Sequence, residues 1–179
     1  MNYSTDNIHK ICEVYGITDY TINGDGTIDV DGHVRLFDKG LTKLPLKFNL
    51  VSGDFYCNHN GLTTLEGSPK SVGGIFNCGW NKLTSLKFAP ISIGGDFDCG
   101  DNNLKSLEWC PKSVGDIFFC VNNQLTTLEY GPQTLGGEFW FYGNPIHDKL
   151  GDIDYKSYFK QINRDKILNE LLKNNNNID

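Results

Sequence analysis

The chain contains 179 residues, of which 22 are acidic and 16 are basic, so its formal net charge is -6. This acidic balance disfavours nucleic-acid binding, because nucleic-acid-binding proteins concentrate Lys and Arg on one face. The mean hydropathy is -0.37, and no apolar run reaches the length of about 18 residues that predicts a membrane span. The N-terminus also lacks the basic start and apolar stretch of a secretory signal. The length suits one domain with small caps.

The first 31 residues predict a cap made of one helix and one hairpin. Residues 6–15 place apolar side chains on one helical face, and Gly16 follows as a stop signal. Residues 20–22 and 27–30 flank a turn rich in Asn, Gly and Asp, which is typical of a β-hairpin. We expect residues 1–31 to cover the open edge of the first repeat.

A repeat of 21 residues occupies the middle of the chain. Phenylalanine recurs at this spacing from Phe55 to Phe139, and one cysteine column and two leucine columns recur in the same phase. The asparagines in that phase are Asn60, Asn81, Asn102, Asn123 and Asn144. One step before Phe55 lies Val34, which begins a degenerate first copy of the kind found beside a cap. Six strand-bearing turns are therefore predicted between residues 32 and 145.

The repeat unit, Phe-x-Cys-x-x-Asn-x-Leu-x-x-Leu, resembles the leucine-rich repeat, with Phe and Cys in place of the first two leucines. It predicts a mainly β solenoid in which each turn contributes one short parallel strand, about 4.8 Å from the next, to a concave face. The remaining residues of each turn are too few for a helix, so the convex side is expected to be extended chain. The asparagines are expected to form a structural ladder by bonding backbone groups of adjacent turns.

The periodicity ends after Pro145, and the composition changes. Residues 155–161 and 165–173 each have a helical pattern, so residues 146–173 are expected to form a helical C-terminal cap that protects the last sheet edge. Residues 174–179 are rich in asparagine and are expected to be a disordered tail.

The residue pattern predicts no catalytic, metal or cofactor site. The repeat cysteines form a straight line with one thiol per turn, and such a line cannot surround a tetrahedral zinc ion. We interpret them as small buried apolar residues in a reducing compartment. No nucleophile–base, paired-carboxylate or phosphate-loop signature is present. About 30 residues follow Pro145, which is too few for a catalytic domain. We therefore expect the protein not to be an enzyme.

The outward side chains of the repeat strands are the expected binding surface, as in other repeat proteins. Ile117, Phe119, Val121, Trp140 and Tyr142 form a predicted surface that we call the aromatic patch. The candidate partner-binding residues on the concave face are Tyr56, Trp80, Asp96, Asp98, Asp101, Ile117, Phe119, Trp140 and Tyr142. The alternative is that the C-terminal segment folds over the aromatic patch. A second aromatic line, Phe88, Trp109 and Tyr130, is expected to pack along the convex ridge.

The amino-acid sequence of the repeat is more specific than the general leucine-rich-repeat pattern. The diagnostic segments are residues 53–57 (GDFYC), 60–74 (NGLTTLEGSPKSVGG), 25–32, 40–48 and 143–146. This pattern resembles a family of tailed-bacteriophage leucine-rich-repeat proteins, some of which carry a rapid-lysis or lysis-inhibition label. The resemblance implies a phage protein that acts in the host bacterial cytoplasm, and it supplies no catalytic residues.

These observations predict a non-enzymatic module that binds a host or phage protein through its concave face, either to counter a host defence or to modulate lysis. One alternative is a structural protein that self-assembles, for example as a homodimer. Another alternative is an acidic decoy of nucleic acid that uses Asp96, Asp98 and Asp101. This alternative is weaker, because these carboxylates do not continue as a stripe along the solenoid. Neither nucleic acid nor a membrane is expected as a partner.

Overall fold

The computed structural model describes residues 4–151 and 153–175. It begins with helix α1 (Thr5–Tyr15), whose first turn is capped by Ser4, with the Asn7 backbone N–H 3.4 Å from the Ser4 hydroxyl oxygen. The helix ends at Gly16, which has a left-handed φ of 63° that glycine adopts without steric cost. Ile8 and Cys12 are buried against the rest of the chain. The predicted N-terminal helix is confirmed.

The predicted hairpin is also present, and it consists of β1 (Tyr20–Ile22) and β2 (Ile28–Val30) in antiparallel register. Strand β2 then pairs in parallel with β4 (Phe48–Val51). The hairpin therefore extends one particular sheet of the solenoid, which we call the back sheet.

The other sheet contains one strand from each repeat, and we call it the front sheet. Its strands are β3 (Val34–Arg35), β5 (Phe55–Tyr56), β7 (Phe76–Asn77), β9 (Phe97–Asp98), β11 (Phe118–Phe119) and β13 (Phe139–Trp140). All neighbours are parallel and in register, so that Phe55 lies beside Phe76 and Phe118 beside Phe139. The six strands are separated by about five complete turns, so the fold is the predicted β solenoid.

The sequence pattern predicted extended chain on the convex side but did not predict that this chain pairs into a second sheet, the back sheet. After β4 it continues with β6 (Ser71–Val72), β8 (Ser92–Ile93), β10 (Ser113–Val114) and β12 (Thr134–Leu135). Glycines after these strands allow the turns to approach closely. A Cβ atom on Gly94 would lie 2.1 Å from the Gly73 carbonyl oxygen, so only glycine fits that position.

The core lies between the two sheets and is built from the repeat columns. Phe55, Phe76, Phe97 and Phe118 are completely buried, and the rings of Phe97 and Phe118 are 4.8 Å apart between centroids. The buried cysteines fill the next column, and burial raises the pKa of the Cys57 thiol far above its usual value. All six cysteines are free thiols. The burial predicted for the Cys column is confirmed, and the Phe column is buried beside it.

The C-terminal cap contains a short helix, α2 (Pro145–Leu150), and a longer helix, α3 (Tyr155–Asn175). The helical character predicted for residues 155–161 and 165–173 is confirmed, and one continuous helix includes both because this segment has no Pro or Gly to interrupt the backbone. Helix α3 also includes residues 174 and 175, which were expected in the disordered tail. The rest of that predicted tail, residues 176–179, lies outside the described residues.

Aromatic side chains of α3 cover the end of the solenoid core. The Phe159 ring meets the Phe139 ring edge-on at 5.1 Å, and the Tyr155 ring lies 5.9 Å from the same ring. The Tyr155 hydroxyl donates to the Gly137 carbonyl. One turn earlier, the equivalent carbonyl of Asp116 accepts from a backbone N–H of the following turn, that of Gly137. The cap therefore supplies both apolar cover and a hydrogen-bond donor at the last turn.

Candidate functional site

The asparagine column has a structural role that is visible in its hydrogen bonds. Asn102 Oδ1 accepts from the Leu83 backbone N–H at 2.9 Å. Its Nδ2 donates to the carbonyls of Cys78, Cys99 and Gly100 at 3.1, 3.2 and 3.1 Å. The same pattern recurs at Asn60, Asn81, Asn123 and Asn144. These residues join adjacent turns into the ladder that their spacing predicts.

The aromatic patch occupies the end of the front sheet. The Phe119 and Trp140 rings are 5.8 Å apart, and the Trp140 and Tyr142 rings are 6.0 Å apart. Trp140 and Tyr142 expose 40% and 46% of their surface, whereas Val121 exposes only 9% and forms the base of the patch. Ile117 is half-buried beside them. The patch is thus a contiguous, solvent-exposed aromatic surface.

A hydrogen bond that sequence reasoning missed holds Trp140 in place. Its indole Nε1–H donates to Glu138 Oε2 at 2.7 Å. Glu138 lies two positions before Trp140, and residues two apart on a strand share one face. That spacing was the available signal. The bond restricts the orientation of the largest exposed ring in the patch.

Among the described residues, the C-terminal segment leaves the aromatic patch exposed, with Trp140 and Tyr142 40% and 46% accessible. The ring contacts of Tyr155 and Phe159 are made with Phe139, whose side chain is 6% exposed and belongs to the core. Successive residues on a strand point to opposite faces, so Trp140 points away from that contact. The cap therefore closes the end of the core and leaves the outward face of β13 open.

The predicted acidic spot on β9 and its loop is used within the fold. Asp96 Oδ1 accepts from the Ile117 N–H at 3.0 Å, Asp98 Oδ1 from the Gly100 N–H at 2.9 Å, and Asp101 Oδ1 from Asn122 Nδ2 at 3.0 Å. Burial raises the pKa of Asp98, and the nearby charges of Asp101 and Asp96 raise it further. Asp96 and Asp101 therefore connect adjacent turns and Asp98 bonds within its own turn, which weakens the interpretation of a nucleic-acid decoy.

Tyr56 and Trp80 lie on earlier turns of the same front surface. The Tyr56 hydroxyl is 3.4 Å from Asp54 Oδ2 and the side chain is half-buried. Burial, followed by the Asp54 charge, raises the pKa of Tyr56. Trp80 is 57% exposed and stacks on His59 with centroids 5.3 Å apart. The candidate residues thus extend along the sheet, but Trp80 and the aromatic patch form separate aromatic groups.

The second aromatic line is only partly buried along the convex ridge. Phe88, Trp109 and Tyr130 expose 49%, 59% and 54% of their surface, and all three have left-handed backbones with φ between 68° and 73°. Such a conformation costs an L-residue roughly 1–2 kcal/mol. The equivalent residue in an earlier turn is Gly67, with φ 98°. The glycine at this repeat position was the feature of the sequence that indicated a left-handed turn at the equivalent residues of later turns.

No protein-family model, no curated protein and no solved structure matches this chain. Among residues 4–151 and 153–175, no group of three or more His, Cys, Asp or Glu side chains could hold a metal ion. Within the same described ranges, no helix is long and apolar enough to cross a membrane.

Proposed function

We propose that this chain is a non-enzymatic protein-binding module and that the aromatic patch is its partner-binding site. The observation that carries this proposal is the exposure of Trp140 and Tyr142, at 40% and 46%, beside the Phe119 ring. Clustered exposed aromatic side chains are uncommon on isolated proteins and supply much of the binding energy at interfaces.

The patch is also preorganised for binding. Trp140 is held by its bond to Glu138 and lies between two aromatic neighbours. A side chain that is already ordered loses little rotamer entropy when a partner binds, so more of its contact energy contributes to affinity. The outward residues Tyr56 and Trp80 extend the proposed surface toward earlier turns of the front sheet.

The proposed partner is a host or phage protein in the bacterial cytoplasm, with a role in countering a host defence or modulating lysis. The resemblance to phage leucine-rich-repeat proteins supports this setting. The six free cysteines are compatible with it, because thiols remain reduced in such a compartment.

The test compares the wild-type chain with Phe119→Ala/Trp140→Ala in affinity capture from infected and uninfected bacterial lysates. The matched control is Phe88→Ala/Trp109→Ala, which removes two exposed aromatic rings from the second aromatic line. We expect a protein that both wild type and control retain and the patch variant loses. With that purified partner, we expect the patch variant to bind at least about 30-fold more weakly, as for a loss of about 2 kcal/mol at a hot spot.

A second patch variant protects the test against a folding defect, because Phe119 is half-buried. Tyr142→Glu places a charge on an exposed ring position and leaves Phe119 and Trp140 in place. Thermal melts show whether each variant is folded. Equal partner binding by wild type, the double variant and Tyr142→Glu would show that the aromatic patch is the wrong site.

Self-association through the same patch is the second candidate function, and the same exposure of Trp140 and Tyr142 supports it. Light scattering across a range of concentrations distinguishes the two. A monomer mass at all concentrations excludes self-association, whereas a dimer that Tyr142→Glu dissociates would replace the proposal of a different partner.

A further inference from the structure

Among the described residues, no strand pairs with the outer edge of β3, the first strand of the front sheet. Strand β3 stands at the end of the six-stranded sheet, and the hairpin β1–β2 extends the back sheet instead. The backbone N–H groups of Val34 and Leu36 donate to β5, reaching the carbonyls of Asp54 and Tyr56 at 2.8 and 2.7 Å. In a parallel strand alternate residues bond to opposite sides, so His33, Arg35 and Phe37 direct their backbone groups to the open side.

A groove of about 300 Å³ lies beside this edge. The end of α1 contributes Val14, Tyr15 and Gly16 to its lining. The β3 side contributes His33, Arg35, Phe37 and Lys39. All four of these residues are exposed. The open backbone groups and the groove therefore coincide, which is the arrangement needed to add an extended segment to a sheet.

The hydrogen bonds between turns indicate which residue the added segment should carry. In three turns, a side chain just before the front strand accepts the backbone N–H of the equivalent residue in the next turn. The acceptors are His33 Nδ1 for Asp54 at 3.0 Å, Asp54 Oδ1 for Ile75 at 2.7 Å and Asp96 Oδ1 for Ile117 at 3.0 Å. If a strand were added before β3 with the same geometry, its side chain at this position would lie opposite the His33 backbone N–H and would be required to accept it.

The charge of the groove favours the same residue type. Arg35 and Lys39 line it, in a chain whose net charge is -6. A carboxylate next to Arg35 would make a charge-assisted hydrogen bond, which is stronger than one between neutral groups. Both the hydrogen-bond pattern and the charge therefore select an acidic strand.

We propose that the open edge of β3 binds an extended acidic segment of a partner protein, which adds as a parallel strand to the front sheet. In this arrangement one carboxylate of the segment accepts the His33 backbone N–H, and a second one lies beside Arg35. The site is independent of the aromatic patch, because β3 and β13 are at opposite ends of the front sheet. The Phe119→Ala/Trp140→Ala variant is expected to bind the acidic segment as wild type does.

The first test measures binding of a fluorescein-labelled peptide, Gly-Asp-Val-Glu-Val-Thr-Gly, by fluorescence anisotropy. Its acidic residues occupy the two outward positions beside His33 and Arg35. We expect binding with submillimolar affinity, and at least about tenfold weaker binding for the peptide with Lys in place of Asp and Glu. Arg35→Glu should weaken binding by a similar factor. The matched control is Arg164→Glu, an exposed arginine on α3, which should bind normally.

The second test distinguishes strand addition from simple charge attraction. Amide hydrogen exchange, followed by NMR, is compared with and without the acidic peptide. We expect exchange to slow by about tenfold or more at His33 and Arg35, whose N–H groups face the open side, and to change little at Val34 and Leu36. Peptide binding that leaves the His33 and Arg35 amides unprotected would overturn the proposal.

Two other outcomes would also overturn it. The first is equal binding of the acidic peptide by wild type and Arg35→Glu, which would place the peptide elsewhere on the chain. The second is a concentration-dependent dimer that Arg35→Glu dissociates, because the strand bound at β3 would then belong to a second copy of this chain.

Discussion

Replacing Asn102 by Ala should break one step of the asparagine ladder and destabilise the solenoid. The side chain is 8% exposed, so water has little access to the groups that it bonds. Its Oδ1 is the hydrogen-bond acceptor of the Leu83 backbone N–H, at 2.9 Å. Because Leu83 is completely buried, that N–H would lose its partner inside the core.

The other bonds of Asn102 are partly duplicated, which limits the loss. The Cys78 carbonyl also accepts from Asn81 at 3.0 Å, and the Cys99 carbonyl also accepts from Asn123 at 3.0 Å. The unpaired Leu83 N–H is therefore the main cost, and a buried unsatisfied donor costs about 1–3 kcal/mol. We expect a loss of about 2 kcal/mol in the free energy of unfolding. For a chain of this size, the melting temperature should fall by roughly 4–8 °C.

Urea and thermal unfolding followed by circular dichroism measure the effect. The matched control is Asn103→Ala at the adjacent exposed position, where we expect a change below about 0.5 kcal/mol. Asn102→Asp adds a second comparison, because it keeps an acceptor for Leu83 but turns a carboxylate toward three carbonyls. It should be destabilised at pH 7. If Asn102→Ala melts within about 1 °C of Asn103→Ala, the reasoning about the ladder is refuted.

Three further outcomes are expected. Burial raises the pKa of Asp98, so the wild type loses stability as pH rises through that pKa. Asp98→Asn should therefore raise the melting temperature at pH 7 and lose that gain near pH 3, and Asn77→Asp, one turn earlier, should do the opposite. Identical pH profiles of melting temperature for the wild type and these variants would contradict this. Urea unfolding should show that Gly94→Ala costs about 3 kcal/mol or more, since its Cβ would lie 2.1 Å from a carbonyl oxygen, whereas Gly24→Ala, with no atom within 4 Å, should be nearly neutral. Native protein at pH 8 should leave its thiols unmodified by a disulfide reagent, including Cys110, whose pKa burial raises to about 12; rapid native labelling would disprove it.

Much of the fold could be predicted because a solenoid translates sequence period directly into spatial neighbours. Residues 21 apart, such as Phe55 and Phe76, occupy equivalent places on adjacent strands. One buried aromatic column therefore defines strand direction, register and inward face together. The asparagine ladder follows for the same reason, because Asn60 and Asn81 meet equivalent backbone groups one turn apart.

Features without a strong local signal were harder to predict. A strand of two residues, such as Ser71–Val72 in the back sheet, is too short to show alternation. Its pairing arises because the front sheet has already set the register of each turn. The exposure of Trp109 depends on a backbone φ of 70°, which the periodicity of the side chains does not encode.

The amino-acid sequence alone determined the repeat, its inward columns and the hydrogen-bonding asparagines, because each depends only on neighbours one period away. Tertiary structure decided which surfaces stay open. Helix α3 packs through Phe159 on the Phe139 ring and leaves Trp140 exposed. The hairpin extends the back sheet and leaves the outer edge of β3 open in the front sheet. Both outcomes depend on where non-repeating caps pack against the ends of the solenoid, and no period in the sequence specifies those contacts.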